Sequence, residues 1–215
     1  MTHSLDPLFR PRSIAVIGAS DDKARIGGRP ILFTREQGFD GPIYPVNAKR
    51  DTVQGLAAYP SIRDVPGPVD AAVIAVPAAA AVDVVRDCAE TGVKSAVIFT
   101  AGFAEMGDAD AQAAIAQIAR DSGMRTIGPN CLGVFNARHG WFGTFASTPS
   151  MTKVAPGATA IISQSGAYGS HLYMAAQNRS IGVNYWVTTG NEVDVDVAEL
   201  IDYFADAPDV NAIMA

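Results

Sequence analysis

The segment Ser13-Ile14-Ala15-Val16-Ile17-Gly18-Ala19-Ser20 carries an apolar run directly into a turn of small residues. A run without polar alternation is typical of a strand buried on both faces, as in a parallel sheet. A second junction of this kind follows Thr159-Ala160-Ile161-Ile162 and reads Ser163-Gln164-Ser165-Gly166. Where a helix begins, free backbone N–H groups and the helix dipole favour a phosphate. The sequence therefore predicts two anion-binding loops on an α/β scaffold.

Short apolar runs alternate with helix-like segments along the whole chain. We predict further strands at 43–46, 71–76, 96–99, 126–127, 159–163, 183–188 and 212–214. Predicted helices are 78–91, 110–122, 165–179 and 195–206, with another starting near Gly28 after a long first loop. Gly92 and Gly123 are placed where glycine commonly ends a helix. This β-α-β-α order predicts a doubly wound α/β fold.

The alternation lapses from Asn136 to Gly157, which we interpret as an irregular connection with a domain boundary near residue 150. The last predicted strand has no helix after it. A three-stranded unit without that helix would leave one sheet face uncovered. We therefore expect the second unit to be incomplete and the chain to be part of a larger protein.

Composition excludes several classes of function. The 215 residues are 48% hydrophobic and 18% charged, with a net charge of −6, which suits a globular protein and argues against a nucleic-acid binder. No apolar run approaches the roughly 20 residues of a membrane span, and the N-terminus lacks the features of a secretory signal. Cys88 and Cys131 are interpreted as free thiols in the cytoplasm. Three scattered histidines predict no metal site.

The end of the second predicted strand, Val46-Asn47-Ala48-Lys49-Arg50, bears on which nucleotide the first loop would bind. NAD-binding folds place an acidic residue there, and the first loop also lacks the G-x-G-x-x-G fingerprint. The basic pair instead favours a phosphorylated ribose, with Lys23 or Arg25 near a pyrophosphate. NADP and coenzyme A both fit, and a solvated turn is the structural alternative.

Six stretches occur together in a characteristic order. They are Gly18-Ala19-Ser20, Pro45-Val46-Asn47, Val76-Pro77, Thr100-Ala101-Gly102-Phe103, Ile127 to Gly133 and Ser163-Gln164-Ser165-Gly166. In this order the chain resembles the CoA-binding subunit of the nucleoside-diphosphate-forming acyl-CoA synthetases. The stretch Thr189-Gly190-Asn191-Glu192-Val193-Asp194-Val195-Asp196 looks closest to the acetate–CoA ligase branch.

The resemblance implies a Rossmann-like CoA-binding domain over 1–137, an interdomain connection over 138–157 and a truncated flavodoxin-like domain over 158–215. It implies an ADP-forming ligase that joins a small carboxylic acid to CoA through a phosphohistidine. Candidate CoA-binding residues are Gly18, Ala19, Ser20, Arg25, Asn47, Lys49, Val76, Pro77, Thr100, Gly102, Asn130 and Cys131. Ser163, Ser165 and Gly166 would form the catalytic phosphoryl-binding loop.

The same resemblance leaves parts of the reaction outside this chain. The family's phosphorylated histidine and its supporting glutamate lie beyond residue 215, and neither His139 nor His171 matches that motif. ATP and Mg²⁺ would bind an ATP-grasp domain or subunit, in an oligomer. The chain alone would therefore bind CoA without catalysing.

The function of the chain and the roles of two groups of residues each have an alternative interpretation. An NADP-dependent reductase and a non-catalytic CoA-sensing or acyltransferase-linked module are the alternative functions. Glu192, Asp194, Asp196 and Glu199 could hold Mg²⁺, although a helix N-terminal turn is favoured. Trp141, Phe142 and Phe145 could line an acyl pocket or form an interdomain core, of which the core is favoured.

Overall fold

The computed structural model describes residues 3–147 and 154–215, so the boundary predicted near residue 150 and the N-terminal Met1-Thr2 lie outside the described residues. The strands are β1 Ile14–Ile17, β2 Ile43–Val46, β3 Thr52–Val53, β4 Leu56–Ala57, β5 Ala71–Ile74, β6 Ser95–Ile98, β7 Arg125–Ile127, β8 Gly133–Asn136, β9 Trp141–Thr144, β10 Thr159–Ser163, β11 Val183–Thr188 and β12 Ala212–Met214. The α-helices are α1 Asp6–Phe9, α2 Arg29–Glu36, α3 Ala78–Glu90, α4 Ala109–Ser122, α5 Gly166–Gln177 and α6 Val197–Ala205. Short 3₁₀ turns cover Ile62–Asp64 and Ala104–Met106.

The first sheet is parallel, in the order β2-β1-β5-β6-β7. Every residue of β1, β5 and β6 is buried, which explains why these strands appear in the sequence as unbroken apolar runs. The chain order reverses between β1 and β5, and ligands of open α/β sheets bind at such a reversal, beyond the carboxyl ends of the strands. The predicted doubly wound fold is confirmed.

The second sheet has the order β12-β10-β11-β8-β9 and is mixed, because β8 and β9 run antiparallel to their neighbours. The predicted irregular connection after Asn136 is therefore wrong for the residues of β9. All four residues of β9 are buried, so no polar alternation marks the strand in the sequence. Phe142 stacks on Phe135 of β8 at 4.8 Å between ring centroids. The favoured core interpretation holds for Trp141 and Phe142, which are fully buried.

The two sheets share one hydrophobic core, and the short helix α1 lies between them. Leu5, Leu8 and Phe9 have no exposed surface and belong to a cluster with residues of both sheets. The Trp141 indole N–H donates to the carbonyl of Leu8 at 3.0 Å, and the Asn136 amide donates to that of Phe9 at 3.1 Å. The N-terminal segment is thereby fixed to the β8–β9 hairpin.

Four backbone hydrogen bonds join residues 126–129, at the end of the first sheet, to residues 189–195 of the second unit. Gly128 N–H donates to Thr189 O at 3.1 Å, and Val195 N–H donates to Thr126 O at 3.2 Å. Between them, Asn191 N–H donates to Pro129 O at 2.9 Å and Val193 N–H to Gly128 O at 3.2 Å. We call this set the interdomain ladder.

The acidic run near α6 also serves this junction. The Arg125 guanidinium binds Asp194 at 3.1 Å and Glu199 at 2.7 Å, with Arg125 and Asp194 side chains each only 18% exposed. Asp196 caps α6 by accepting from Glu199 N–H, so the helix begins at Val197 rather than at the predicted residue 195. These carboxylates therefore hold an arginine and a helix end.

No helix of the described residues has the length and apolarity that crossing a bilayer requires.

Arg125→Met should lower the free energy of unfolding by about 3 kcal/mol, because it leaves two partly buried carboxylates without their cation. Urea denaturation at neutral pH measures the loss. Arg86→Met is the matched control, since Arg86 pairs with Asp83 on an exposed helix face and should cost less than about 1 kcal/mol. Equal losses for the two variants would contradict a structural role for the Arg125 cluster.

Candidate functional site

A cavity of about 780 Å³ opens at the carboxyl ends of β1 and β5, where the strand order reverses. We call it the first cavity. Its walls include Gly18, Ala19, Ser20, Asp21, Asp22, Ala24, Arg25, Ile26, Gly27, Asn47, Arg50 and Ala75. The structure thus brings together five of the predicted CoA-binding residues, which come from the first loop and the end of β2.

Close backbone approach explains the glycines of the first loop. Gly18 has a φ of +85°, and a Cβ there would lie 2.3 Å from the carbonyl oxygen of Ala75. A Cβ on Gly27 would lie 2.0 Å from the carbonyl oxygen of Gly18. Larger residues would therefore force the two ends of the loop apart and change the cavity wall.

The N–H groups of the first three residues of the first loop already have acceptors within the protein. Gly18 and Ala19 N–H both donate to Val46 O at 3.1 Å, and Ser20 N–H donates to Gly27 O at 3.3 Å. The loop is longer than a direct strand-to-helix turn, since α2 begins only at Arg29, and its first residues are bonded to the end of β2 and to Gly27. In this cavity a ligand phosphate would rely mainly on side chains and on later N–H groups of the loop.

Gln54 fixes the first loop and was not predicted from the sequence. Its side-chain amide donates to Ser20 O at 3.0 Å and to Gly28 O at 2.8 Å, which joins the two ends of the loop. Gln54 adopts a φ of +51° in the β3–β4 hairpin, a conformation that the sequence around it does not signal. Its backbone N–H donates to Asp21 at 2.6 Å.

The cationic groups of the first cavity are Arg25 and Arg50. Arg50 lies 2.7 Å from Asp21, and Arg25 lies 3.5 Å from Asp22, with all four side chains at least 44% exposed. Exposed pairs of this kind contribute little, so either arginine can turn towards an incoming anion at small cost. Lys49, the predicted contact, is exposed and does not line this cavity.

A second cavity of about 740 Å³ adjoins the first and shares Ile26 and Ala75 with it. Its remaining walls are Val76, Pro77, Ala78, Phe99, Thr100, Ala101, Asn130, Cys131, Leu132, Phe145, Gln164, Ser165, Gly166 and Gly190. Both sheets contribute, so the two loops predicted from the sequence line adjoining cavities. Ser163 and Gly102 lie just outside these walls; the Ser163 hydroxyl donates to the carbonyl of Ser165 at 2.9 Å.

The N-terminus of α5 points its first residues into the second cavity. The Ser165 hydroxyl caps the helix by accepting from Tyr168 N–H at 3.3 Å. The N–H groups of Gly166 and Ala167 have no acceptor among the described residues, as expected of a first helical turn. A Cβ on Gly166 would lie 2.6 Å from Leu132 Cγ. This loop keeps the free donors that the first loop lacks and suits an anion.

The other walls of the second cavity are uncharged. Within the described part of the chain no acidic or basic side chain lines it, and Phe99 and Phe145 meet there edge to face at 4.8 Å. Phe145 thus lies in the wall, unlike its neighbours Trp141 and Phe142. Phe99 was not singled out from the sequence, because it continues an ordinary strand end. Gln164 belongs to the predicted second loop, but no role was assigned to its side chain.

Cys131 and the two central histidines show no reactive geometry. Burial raises the pKa of the Cys131 thiol to about 12, and its S–H donates to Ile98 O at 3.4 Å. His139 Nε2 lies 2.6 Å from Pro11 O, which gives this ring a structural contact in the second unit's hairpin. His171 is exposed on α5. These positions agree with the structural or surface roles expected of both histidines.

Two family models match the chain. The model described as a CoA binding domain covers residues 12–137, and the one described as a succinyl-CoA ligase like flavodoxin domain covers residues 156–215. The first matched range contains the first sheet and the first loop, and the second contains α5 and its N-terminal loop.

Relatives of known name are similar along almost the whole chain. The acetate–CoA ligase (ADP-forming) II subunit alpha of Pyrococcus furiosus is 41% identical over 212 residues, which make up 97% of this chain and 45% of the relative. The acetate–CoA ligase (ADP-forming) II of Archaeoglobus fulgidus is 40% identical over 203 residues, or 93% of this chain and 30% of the relative. The chain therefore spans less than half of each.

A solved structure supports the same assignment. The apo form of the dinucleotide-forming acetyl-coenzyme A synthetase 1 of Ca. Korarchaeum cryptofilum superposes with a TM-score of 0.90 at 39% identity, covering 97% of this chain and 45% of that one. Since the CoA binding domain model alone covers more than half of the residues, the chain belongs to the CoA-binding domain family, and its relatives confirm the predicted resemblance to the nucleoside-diphosphate-forming acyl-CoA synthetases.

Proposed function

We propose that the chain is the CoA-binding part of an ADP-forming acyl-CoA synthetase, which converts an acid, CoA and ATP into acyl-CoA, ADP and phosphate. The observation that carries this proposal is that the two cavities adjoin and share the wall residues Ile26 and Ala75. A nucleotide site in an open α/β sheet needs only the first cavity. A ligand with a long arm beyond its pyrophosphate would use both.

The parts of CoA match the chemistry of successive wall segments. Arg50 and Arg25 suit the ribose 3′-phosphate and the pyrophosphate at the first loop. Val76 and Pro77, with Ile26 opposite, offer an apolar passage for the pantetheine arm. The thiol would then arrive near the α5 N-terminus. Gly18, Ala19, Ser20 and Asn47 shape the first cavity in this assignment, and Thr100, Asn130 and Cys131 shape the second.

The α5 N-terminus would hold the phosphoryl group. The N–H groups of Gly166 and Ala167 and the helix dipole would stabilise the phosphate oxygens of an acyl phosphate while the CoA thiol attacks the acyl carbon. The carbon–sulfur bond then forms as the carbon–oxygen bond breaks, and inorganic phosphate leaves with that oxygen and the thiol proton. Such donors are fixed before the reaction and need no rearrangement. The capping contact of Ser165 and the hydroxyl of Ser163 orient these N–H groups, so both serines act by positioning the loop.

The acid substrate would occupy the uncharged end of the second cavity, where Phe99 and Phe145 form an apolar wall. One carboxylate can face the helix N-terminus, and the remaining walls suit the apolar part of a small monocarboxylic acid.

The phosphorylation steps of the reaction need a nucleotide site in addition to the two cavities. We propose that an ATP-grasp domain or subunit binds ATP with Mg²⁺, and that a histidine outside residues 1–215 carries the phosphoryl group between the sites. We propose that such subunits assemble into an oligomer. A location in the cytoplasm is in keeping with the two buried, unpaired thiols of Cys88 and Cys131.

Arg50→Ala should reduce the preference of the chain for CoA over dephospho-CoA by about tenfold, because it removes the cation nearest to the ribose phosphate. Isothermal titration calorimetry with CoA, dephospho-CoA and NADP measures this preference. Lys49→Ala is the matched control, since Lys49 lies outside the cavity wall and should change the ratio less than about threefold.

An equal loss of affinity for CoA and dephospho-CoA in Arg50→Ala would contradict the assignment of the 3′-phosphate to Arg50. Heat from NADP without heat from CoA would overturn the ligase proposal and favour the reductase.

Ser165→Ala and Gly18→Val should separate the two loops. Ser165→Ala removes a helix cap, costs about 1 kcal/mol of stability and leaves CoA affinity within about twofold. Gly18→Val places side-chain atoms against Ala75 O in the first cavity and should abolish measurable CoA binding, provided that circular dichroism shows both variants folded. Loss of CoA binding in Ser165→Ala would contradict the proposed division between the loops.

A further inference from the structure

A cluster of hydrogen bonds joins the loop after β6 to the loop after β11, beside the interdomain ladder. The Asn191 side-chain amide donates to Glu105 Oε2 at 2.5 Å and to Gln112 Oε1 at 2.8 Å. Glu105 and Gln112 belong to the first sheet's unit, and Asn191 belongs to the second. The cluster therefore spans the two domains at the outer edge of the second cavity.

Glu105 also fixes its own loop. Its Oε1 accepts from Gly102 N–H at 2.6 Å and from Phe103 N–H at 3.2 Å. Burial acts to raise the pKa of the Glu105 carboxyl, but the hydrogen bonds from Gly102 and Asn191 outweigh it and leave the pKa below its ordinary value. Glu105 is therefore ionised at neutral pH, and both of its oxygens are acceptors only.

The cluster reaches the cavity through Asn191. Asn191 Oδ1 accepts from the side-chain amide of Asn130 at 3.3 Å. The preceding residue, Gly190, accepts from the Gln164 side-chain amide at 2.7 Å. Asn130, Gly190 and Gln164 all line the second cavity, and Gln164 precedes the cap of α5. A change at Glu105 can thus be transmitted to the wall of the cavity without any direct contact between Glu105 and its contents.

Space at this junction is tight. Gly190 has a φ of +65°, and a Cβ there would lie 2.4 Å from Pro129 O and 2.6 Å from Asn130 O. The two loops touch at the backbone, so a small shift of one loop moves the other. A side chain that sets their spacing therefore also sets the position of Asn130 in the cavity wall.

We infer that Glu105 is a positioning residue that holds Asn191, and through it Asn130 and Gly190, so that the second cavity is formed before its ligand enters. This inference rests on the proposed function in one respect, namely that the pantetheine arm of CoA occupies the second cavity. It predicts that Glu105 matters for ligands that reach the second cavity and not for ligands that fill only the first.

Glu105→Gln tests the hydrogen bond with little change of shape. The oxygen of the introduced glutamine can still accept from Gly102, but its amide then faces the Asn191 amide, and two donors cannot bond. If Asn191 turned its oxygen towards that amide, it would lose the contact with Asn130. The double variant Glu105→Gln/Asn191→Asp restores the pair with donor and acceptor exchanged, and the introduced aspartate can still accept from Asn130. The bond from Asn191 to Gln112 is kept only if the Gln112 side chain turns its NH₂ group towards the aspartate.

The experiment compares the affinities of CoA and adenosine 3′,5′-bisphosphate by calorimetry. The second ligand lacks the pantetheine arm and occupies only the first cavity. Glu105→Gln should weaken CoA about five- to tenfold, as for one lost hydrogen bond to a charged group, and leave the bisphosphate within about twofold. The double variant should recover CoA affinity to within about threefold. Glu36→Gln, at an exposed carboxylate that ends α2, should change neither ligand.

Each outcome bears on one claim. Unchanged CoA affinity in Glu105→Gln, or equal weakening of both ligands, would overturn the positioning role while leaving the proposed function intact. A double variant as weak as Glu105→Gln would overturn the hydrogen-bond account of that role. A wild-type chain that binds no CoA would overturn the proposed function itself, and with it this inference.

Discussion

The interdomain ladder is the interaction on which the candidate site depends. Backbone bonds between 126–129 and 189–195 leave no side chain to adjust, so the carboxyl edge of the first sheet and the second unit keep a fixed spacing. Two further sets of contacts hold the same junction. Helix α1 packs between the sheets, and Arg125 pairs with Asp194 and Glu199. The second cavity exists because these contacts bring the α5 N-terminus against the loops of the first sheet.

The two candidate anion-binding loops differ in the groups that they would offer to an anion. The leading N–H groups of the first loop are bonded to the end of β2 and to Gly27, and the nearby cations are exposed arginines with weak partners. The second loop offers free N–H groups at a helix end, in a cavity with uncharged walls. Mobile cations suit a ligand that must bind and leave, whereas fixed dipoles suit a group whose charge changes during a reaction. This contrast agrees with a substrate phosphate at one end and a transferred phosphoryl group at the other.

The sequence predicted the parallel sheet, most helix ends and the order of the loops, because buried strands and glycine stops leave local signals. It missed β8 and β9, because glycine and polar residues in Gly133–Asn136 and Trp141–Thr144 leave neither an unbroken apolar run nor a regular alternation. It named Lys49 of the basic pair after β2, whereas in the structure Arg50 lines the first cavity and Lys49 does not; which of the two contacts a ligand stays a prediction. Gln54 and the Glu105–Asn191 contact could not be predicted, because each joins segments far apart in the chain.

Hydrogen–deuterium exchange of the chain with and without CoA tests most directly whether one ligand spans both loops. The account predicts that CoA slows amide exchange in residues 18–29 and also at the start of α5, including Gly166 and Ala167, while adenosine 3′,5′-bisphosphate slows it only in 18–29. Protection by CoA confined to the first loop, or equal protection of both loops by the bisphosphate, would contradict a continuous site running from the first cavity to the α5 N-terminus.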